Sequence, residues 1–219
     1  MSETGGATTQ SGIHYQNSIA ALFLGRLLDP RPRTASERVV EIRVEAPEHV
    51  DDVVVRHADG SRSFIQAKES LSLTSEAWSK LWSHFAAQAH ECSAEQYRLV
   101  LAVGTISGDI GQLRELCERA KGKQNHEEWL DSLSLTLKTV KHKIADALDE
   151  QTDQAVFKVV RFVEVWIWPL DTIERDMITL WIPPSSSSLD TLFNLLRGKV
   201  GGKARIRGLF YAAQLLKNY

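Results

Sequence analysis

The chain has 219 residues, 43% of them hydrophobic and 25% charged, with a formal net charge of −2. Such a composition excludes intrinsic disorder and supports a buried core, and the near-neutral balance excludes a protein that coats nucleic acid by bulk charge, leaving only local basic patches. Two cysteines, Cys92 and Cys117, with no CxxC pair, exclude a zinc ribbon and a disulfide framework and are expected to be reduced, packed thiols.

In chain order, MSETGGATTQ is polar, without the basic start and apolar run of a signal peptide, and no stretch is long enough to span a membrane, so a cytoplasmic chain is expected. SGIHYQNSIAALFLGRLLDP has apolar residues at helical spacing and is closed by Pro30 and Pro32, predicting a helix over 11–28. RVVEIRVEA is rich in β-branched residues and alternates, and DDVVVRH and RSFIQAK flank Asp59-Gly60, a hairpin signal, predicting three successive strands. SEAWSKLWSHFAAQAHEC places Trp78, Leu81, Trp82 and Phe85 on one helical face, and YRLVLAV reads as a further strand. DIGQLRELCERA and HEEWLDSLSLTLKTVKHKIADALDE read as helices, QAVFKVVRFVEVWIW as a strand, and SSLDTLFNLLRG and ARIRGLFYAAQLLKN as helices again. The expected fold is a mixed α/β core with a helical C-terminal extension. The division expected is a core over 1–170 and an extension over 171–219 that leads into further domains of a longer protein.

One stretch carries chemistry. In SFIQAKES, Phe64, Gln66 and Lys68 share a strand face, and a buried lysine needs an anionic partner. The preceding strand begins with Asp51-Asp52. A carboxylate there, opposite a strand ending in Gln66-Ala67-Lys68, is the donor set for a divalent metal at a sheet edge. Aspartate and the Gln66 amide supply hard oxygens, the Ala67 carbonyl a third, and Mg²⁺ fills its remaining positions with water and phosphate oxygens. Lys68 would then stand beside a metal-bound water. Strand alternation puts Asp52 with Val54 and favours it over Asp51, which joins Val53 and Val55. An exposed lysine guarding an edge strand is the plain alternative. Gln16, Glu41 and Glu45 are further polar candidates, which solvated surfaces explain equally well.

These residues resemble the PD-(D/E)xK nucleases, and among them the QxK group of bacterial antiphage effectors. The resemblance covers residues 5–70, in GGATTQSGIHYQNSIAALFLGRLL and VEAPEHVDDVVVRHADGSRSFIQAKES, with Gly12 to Gln16 matching a helix motif that reaches toward the metal site. Within that group it points to the double-stranded DNA endonucleases of cyclic-oligonucleotide defence systems and the N-terminal nucleases of antiviral STAND NTPases. It implies a restriction-endonuclease-like mixed sheet flanked by helices. It also implies a Mg²⁺-dependent endonuclease of double-stranded DNA, with Mn²⁺ able to substitute. Asp52, Gln66 and Lys68 would be catalytic, Asp52, Gln66 and Ala67 would hold the metal, and Gln16, Glu45 and Asp51 would support them. Homo-oligomerisation on activation, and an NTPase or ligand-sensing domain elsewhere in the full-length protein, are implied as well. Gln66, where many relatives carry an acid, lowers the negative charge of such a site by one. The alternative is a catalytically silent nuclease-like module serving oligomerisation or DNA binding.

Other motifs are weaker. AVGTISGDIGQL has the outline of a phosphate cradle but neither GxGxxG nor GK[ST]. The histidines lack zinc-ligand spacing. RGKVGGKARIRG is basic without an acid, so Lys203, Arg205 and Arg207, with Arg197 and Lys199, are candidate contacts to a DNA backbone; Arg26, Arg31 and Arg33 form a smaller basic stretch.

Overall fold

The computed structural model describes residues 4–92, 96–149, 152–183, 187–204 and 206–212, with side chains from residue 10 onward. Its centre is a six-stranded mixed sheet. The first helix, α1 (Thr4–Leu28), begins further toward the N-terminus than the apolar spacing predicts. Three strands follow, β1 (Val39–Val44), β2 (Val53–His57) and β3 (Arg62–Lys68), each antiparallel to the next. The turn between β2 and β3 contains Gly60 at φ 88°, a left-handed conformation that glycine adopts without penalty. Helix α2 (Glu76–Glu91) then crosses over to β4 (Tyr97–Val103), which pairs parallel with β3.

Four helices separate β4 from its other neighbour: α3 (Gly108–Lys121), α4 (His126–Asp131), α5 (Leu135–Leu148) and α6 (Asp153–Val160). The stretch read as one helical run is divided between α4 and α5. Ser134 caps α5, its hydroxyl accepting from the Leu137 amide. The segment read as a strand is helical in its first half. Thr152 caps α6 by accepting from the Ala155 amide, and only Val163–Ile167 forms β5, parallel to β4. A helical run follows, α7 (Leu170–Thr172), a π turn (Ile173–Met177) and α8 (Ile178–Trp181), and then α9 (Leu189–Ala204). ARIRGLFYAAQLLKN, expected to be helical, instead supplies β6 (Leu209–Phe210), antiparallel to β1. Residues 213–219 lie outside those described. The sheet order is β5-β4-β3-β2-β1-β6.

Each face of the sheet is covered by its own apolar cluster. One joins Phe64, Leu99, Leu101 and Val103 to Trp78, Trp82 and Phe85 of α2 and to α3–α6. The other joins Val53, Val55, Ile65, Ala67, Val100 and Ala102 to α1, with Ile173, Ile178, Phe193 and Leu196 from the chain beyond residue 170. Residues of 171–219 thus complete the core on the α1 face and extend the sheet at the β1 edge. Among the described residues, no helix is long and apolar enough to cross a membrane.

The join between β3 and β4 is tight at Gly104. Its amide donates to the Lys68 carbonyl at 3.0 Å, and a Cβ there would stand 2.9 Å from the Glu69 carbonyl oxygen and 3.1 Å from the Tyr15 ring. Gly104→Ala should therefore lower stability by about 1–3 kcal/mol. Gly111→Ala, in α3 with open space around the added carbon, should raise it by up to about 1 kcal/mol. Urea unfolding of the two variants checks the contrast, and equal effects would refute the close approach.

Candidate functional site

Hairpin register builds the site. Val53 faces Ile65 and Val54 faces Phe64 across β2 and β3, so the next pair along the ladder is Asp52 and Gln66, side by side on one face. Both are buried. The Gln66 amide nitrogen donates to Asp52 Oδ2, and so does the backbone N–H of Ala67, at 2.8 Å. Lys68 Nζ lies 3.9 Å from the same oxygen, with about a third of its side chain exposed. On the other side, the Glu45 amide donates to the Asp52 carbonyl at 3.3 Å, with Glu45 in the left-handed region at φ 50°. Gln16 Nε2 of α1 donates to Glu45 Oε1 at 2.6 Å. Asp51 is half-buried, and its carbonyl accepts from the Ala46 amide.

Asp52, Gln66, Ala67 and Lys68 are therefore brought together, with Glu45 just past the end of β1 and Gln16 bound to it. Tyr15, one residue before Gln16, is fully buried against Gly104 instead. Glu41 lies on β1 and meets Arg56 at 4.0 Å.

The electrostatics favour a cation. Burial pushes the Asp52 carboxyl up to about 6; Lys68 and the Ala67 N–H work against that rise, and Asp51 and Glu45 add to it. Asp51 and Glu45 each add negative charge in reach of Asp52, with Lys68 as the nearby cation. Asp52, the free oxygen of Gln66 and the Ala67 carbonyl are hard donors suited to Mg²⁺ or Mn²⁺. Among the described residues, no three His, Cys, Asp or Glu side chains converge as a set of metal ligands. Any ion held here therefore depends on amide, carbonyl and ligand oxygens.

The basic C-terminal stretch is largely committed to internal contacts. Arg197 donates to Glu174, His14 and Asn194. Lys203 Nζ donates to the Leu209 carbonyl and lies 4.8 Å from the Phe210 ring centre, so it closes β6 onto α9. Arg205 lies outside the described residues. Arg207 is exposed and lines a cleft of about 600 Å³ together with Gln16, Asn17, Glu45 and Gly201. Sequence inspection assigned no role to this cleft, because α1 and α9 meet only in the folded chain.

No family model matches the chain, and no curated protein matches its sequence. Solved structures do match. The Cap4 SAVED/CARF-domain containing receptor of Acinetobacter baumannii with the cyclic trinucleotide 3'3'3'-cAAA aligns at TM-score 0.57 and 13% identity, over 91% of this chain and 44% of that one. The Cap4 SAVED/CARF-domain containing receptor of Moraxella osloensis aligns at TM-score 0.54 and 15% identity, over 92% and 44%. The A. baumannii receptor with 2'3'3'-cAAA aligns at 0.55 and 11%, over 92% and 42%. The chain spans under half the length of these receptors, and at such identities the likeness is one of fold.

The comparison corrects the nuclease reading. The solved chains that share this arrangement are described as SAVED/CARF-domain receptors, two of them with a cyclic trinucleotide. They overturn the PD-(D/E)xK effector resemblance, and with it the expected DNA endonuclease activity. The geometry gives a physical reason. The expected DNA-contact cations Arg197 and Lys203 are held within the chain by Glu174 and the Leu209 carbonyl, so they are not free to meet a duplex. The fold stands as a mixed α/β sheet flanked by helices.

Because the native state raises the Asp52 pKa from 3.8 to about 6, it holds that proton more tightly than the unfolded chain does. Stability should therefore fall as pH rises from about 4 through about 6, by on the order of 2–3 kcal/mol. Asp52→Asn should remove most of that slope. Urea unfolding in EDTA-containing buffer between pH 4 and 7 measures it, and parallel curves for wild type and variant would refute an uncompensated buried carboxylate.

Proposed function

We propose that this chain forms part of a receptor that responds to a cyclic oligonucleotide in antiviral defence. In this reading the cluster of Asp52, Gln66, Ala67 and Lys68 binds a phosphodiester with the help of Mg²⁺. The observation that carries the proposal is the convergence of a buried carboxylate, an amide, a strand-end carbonyl and a half-exposed ammonium at one end of the sheet. The Cap4 receptors described with cyclic trinucleotides lend support, since every internucleotide link in such a ligand is a phosphodiester.

The chain's own residues have distinct tasks. Asp52, held by Gln66 and the Ala67 N–H, presents fixed negative charge to the ion, and Gln66 and Ala67 add neutral oxygens. With a neutral amide in place of a second carboxylate, the ion binds weakly until a phosphate oxygen joins its coordination shell, because Mg²⁺ gives up water reluctantly. Lys68, the solvent-facing member, places its positive charge against the phosphate. Gln16 fixes Glu45 beside the cluster, and the cleft they line with Arg207 offers room for the rest of the ligand.

Calorimetric titration of 3'3'3'-cAAA into the protein, with Mg²⁺ and then with EDTA, tests the reading. Binding should weaken at least tenfold in EDTA and by a similar factor in Lys68→Ala, whose melting temperature should stay close to wild type. Affinity indifferent to both changes would place the ligand elsewhere. Mg²⁺-dependent breakdown of the trinucleotide or of plasmid DNA, lost in Lys68→Ala, would also overturn a binding role by making the cluster a catalytic centre.

A further inference from the structure

At the opposite end of the sheet, where β1, β3 and β4 begin and β2 ends, a second polar cluster lies on the α1 face. It surrounds a cavity of about 160 Å³. Its lining is unusual for the edge of a core. Arg26, Arg33 and Arg98 converge there from α1, from the loop before β1 and from β4, and His57 and Ser63 reach it from the hairpin, over an apolar floor that includes Trp166 and Trp181. The acid in the lining is Glu37, whose carboxylate accepts from the Thr34 hydroxyl and amide.

Among the described residues, two buried nitrogens in this lining have no hydrogen-bond partner, Nδ1 of His57 and Nε of Arg33. His57 is 6% exposed, and its Nε2 is 2.9 Å from the Ser63 hydroxyl. When Ser63 donates to Nε2, the proton of the neutral ring sits on Nδ1, which becomes an unanswered donor. Arg33 spends its Nη2 on Asp29 at 2.7 Å, and Arg31 shares the same carboxylate, so Nε is left over. Arg26 lies 4.5 Å above the Trp181 ring. Arg98 gives Nη2 to the Ser36 carbonyl at 3.3 Å. Buried donors without acceptors are costly, and here His57 Nδ1 and Arg33 Nε share one small cavity with the guanidiniums of Arg26 and Arg98.

We infer that this cavity is a binding site for a phosphate-sized oxyanion, either free phosphate or the terminal phosphate of a nucleotide. The anion accepts from His57 Nδ1 and Arg33 Nε, with the guanidiniums of Arg26 and Arg98 balancing its charge. Arginine suits planar recognition of phosphate oxygens, and the volume admits a phosphoryl group but no nucleoside. A nucleotide would have to leave its sugar and base outside, on the Arg98 side, where the lining is half-exposed. The Asp52 cluster lies toward the other end of β3, where Gln66 and Lys68 stand three and five residues beyond Ser63, roughly 10 and 17 Å at strand rise. Occupancy here is therefore a separate event.

The test is thermal melting of the 219-residue chain in phosphate-free buffer with EDTA, which removes any metal-assisted binding at Asp52. Sodium phosphate and AMP are titrated separately, with sodium chloride holding ionic strength constant. Phosphate should raise the melting temperature saturably, and the rise should persist in Lys68→Ala. Arg98→Gln, a half-exposed position that leaves both buried donors in place, should melt near wild type without phosphate and need about tenfold more phosphate for half the effect. Saturation by AMP at lower concentration than phosphate identifies a nucleotide as the source of the group, and the reverse order identifies free phosphate. A rise no larger than chloride gives, or an equal response in Arg98→Gln, overturns the site.

Discussion

A carboxylate buried at the end of a central hairpin is the constraint from which this site follows. Asp52 cannot stay charged in the sheet without donors, and the chain supplies them from the strand directly opposite: the Gln66 amide, the Ala67 N–H and, at the rim, Lys68. Because a strand changes face at every residue, a slip of one position in β2 against β3 would carry Val53 and Val55 to the α2 side and set Asp51 in place of Asp52 beside Gln66. Apolar packing on both faces of the sheet therefore fixes the polar geometry. The Phe64 side packs against α2 and the Ile65 side against α1, and the cluster sits where those two demands meet.

Much of this was legible because the hairpin is local. The valine run before Asp59-Gly60 and the strand after it set the register, and register alone puts Asp52 beside Gln66. The failures came where local pattern and tertiary context disagree. QAVFKVVRFVEVWIW is β-branched throughout, yet its first half is helical. Thr152 caps it, and Val156, Phe157 and Val160 recur at helical spacing toward the core, a signal the continuous apolar run conceals. The helix expected near the C-terminus became strand at Leu209–Phe210 because the free edge of β1 offered backbone partners. No local pattern reports that edge, since the two segments lie more than 160 positions apart in the chain.

Function was harder to read than fold for a chemical reason. A carboxylate, an amide, a carbonyl and a lysine at a sheet edge are what a hydrolytic metal site requires, and equally what holding a phosphodiester requires. The difference lies in whether a water can be aligned and a leaving group stabilised, which depends on residues brought in from outside the hairpin. The basic stretch that would have delivered a duplex shows how composition misleads. Arg197 and Lys203 look available in the sequence, but one joins α9 to α1 and to Glu174 and the other closes a small strand onto the helix before it.

The two ends of the sheet also differ in how their charges are treated. At the Asp52 end a buried anion is only partly answered, so the unmet demand is for positive charge. At the His57 end donors and guanidiniums exceed acceptors, so the unmet demand is for negative charge. β3 runs from one to the other, with Ser63 at its start and Gln66 to Lys68 at its end, and β4 lies parallel beside it, carrying Arg98 at one end and Val103 next to Lys68 at the other. A ligand that drew in either pair of strand ends would act on strands shared with the other site.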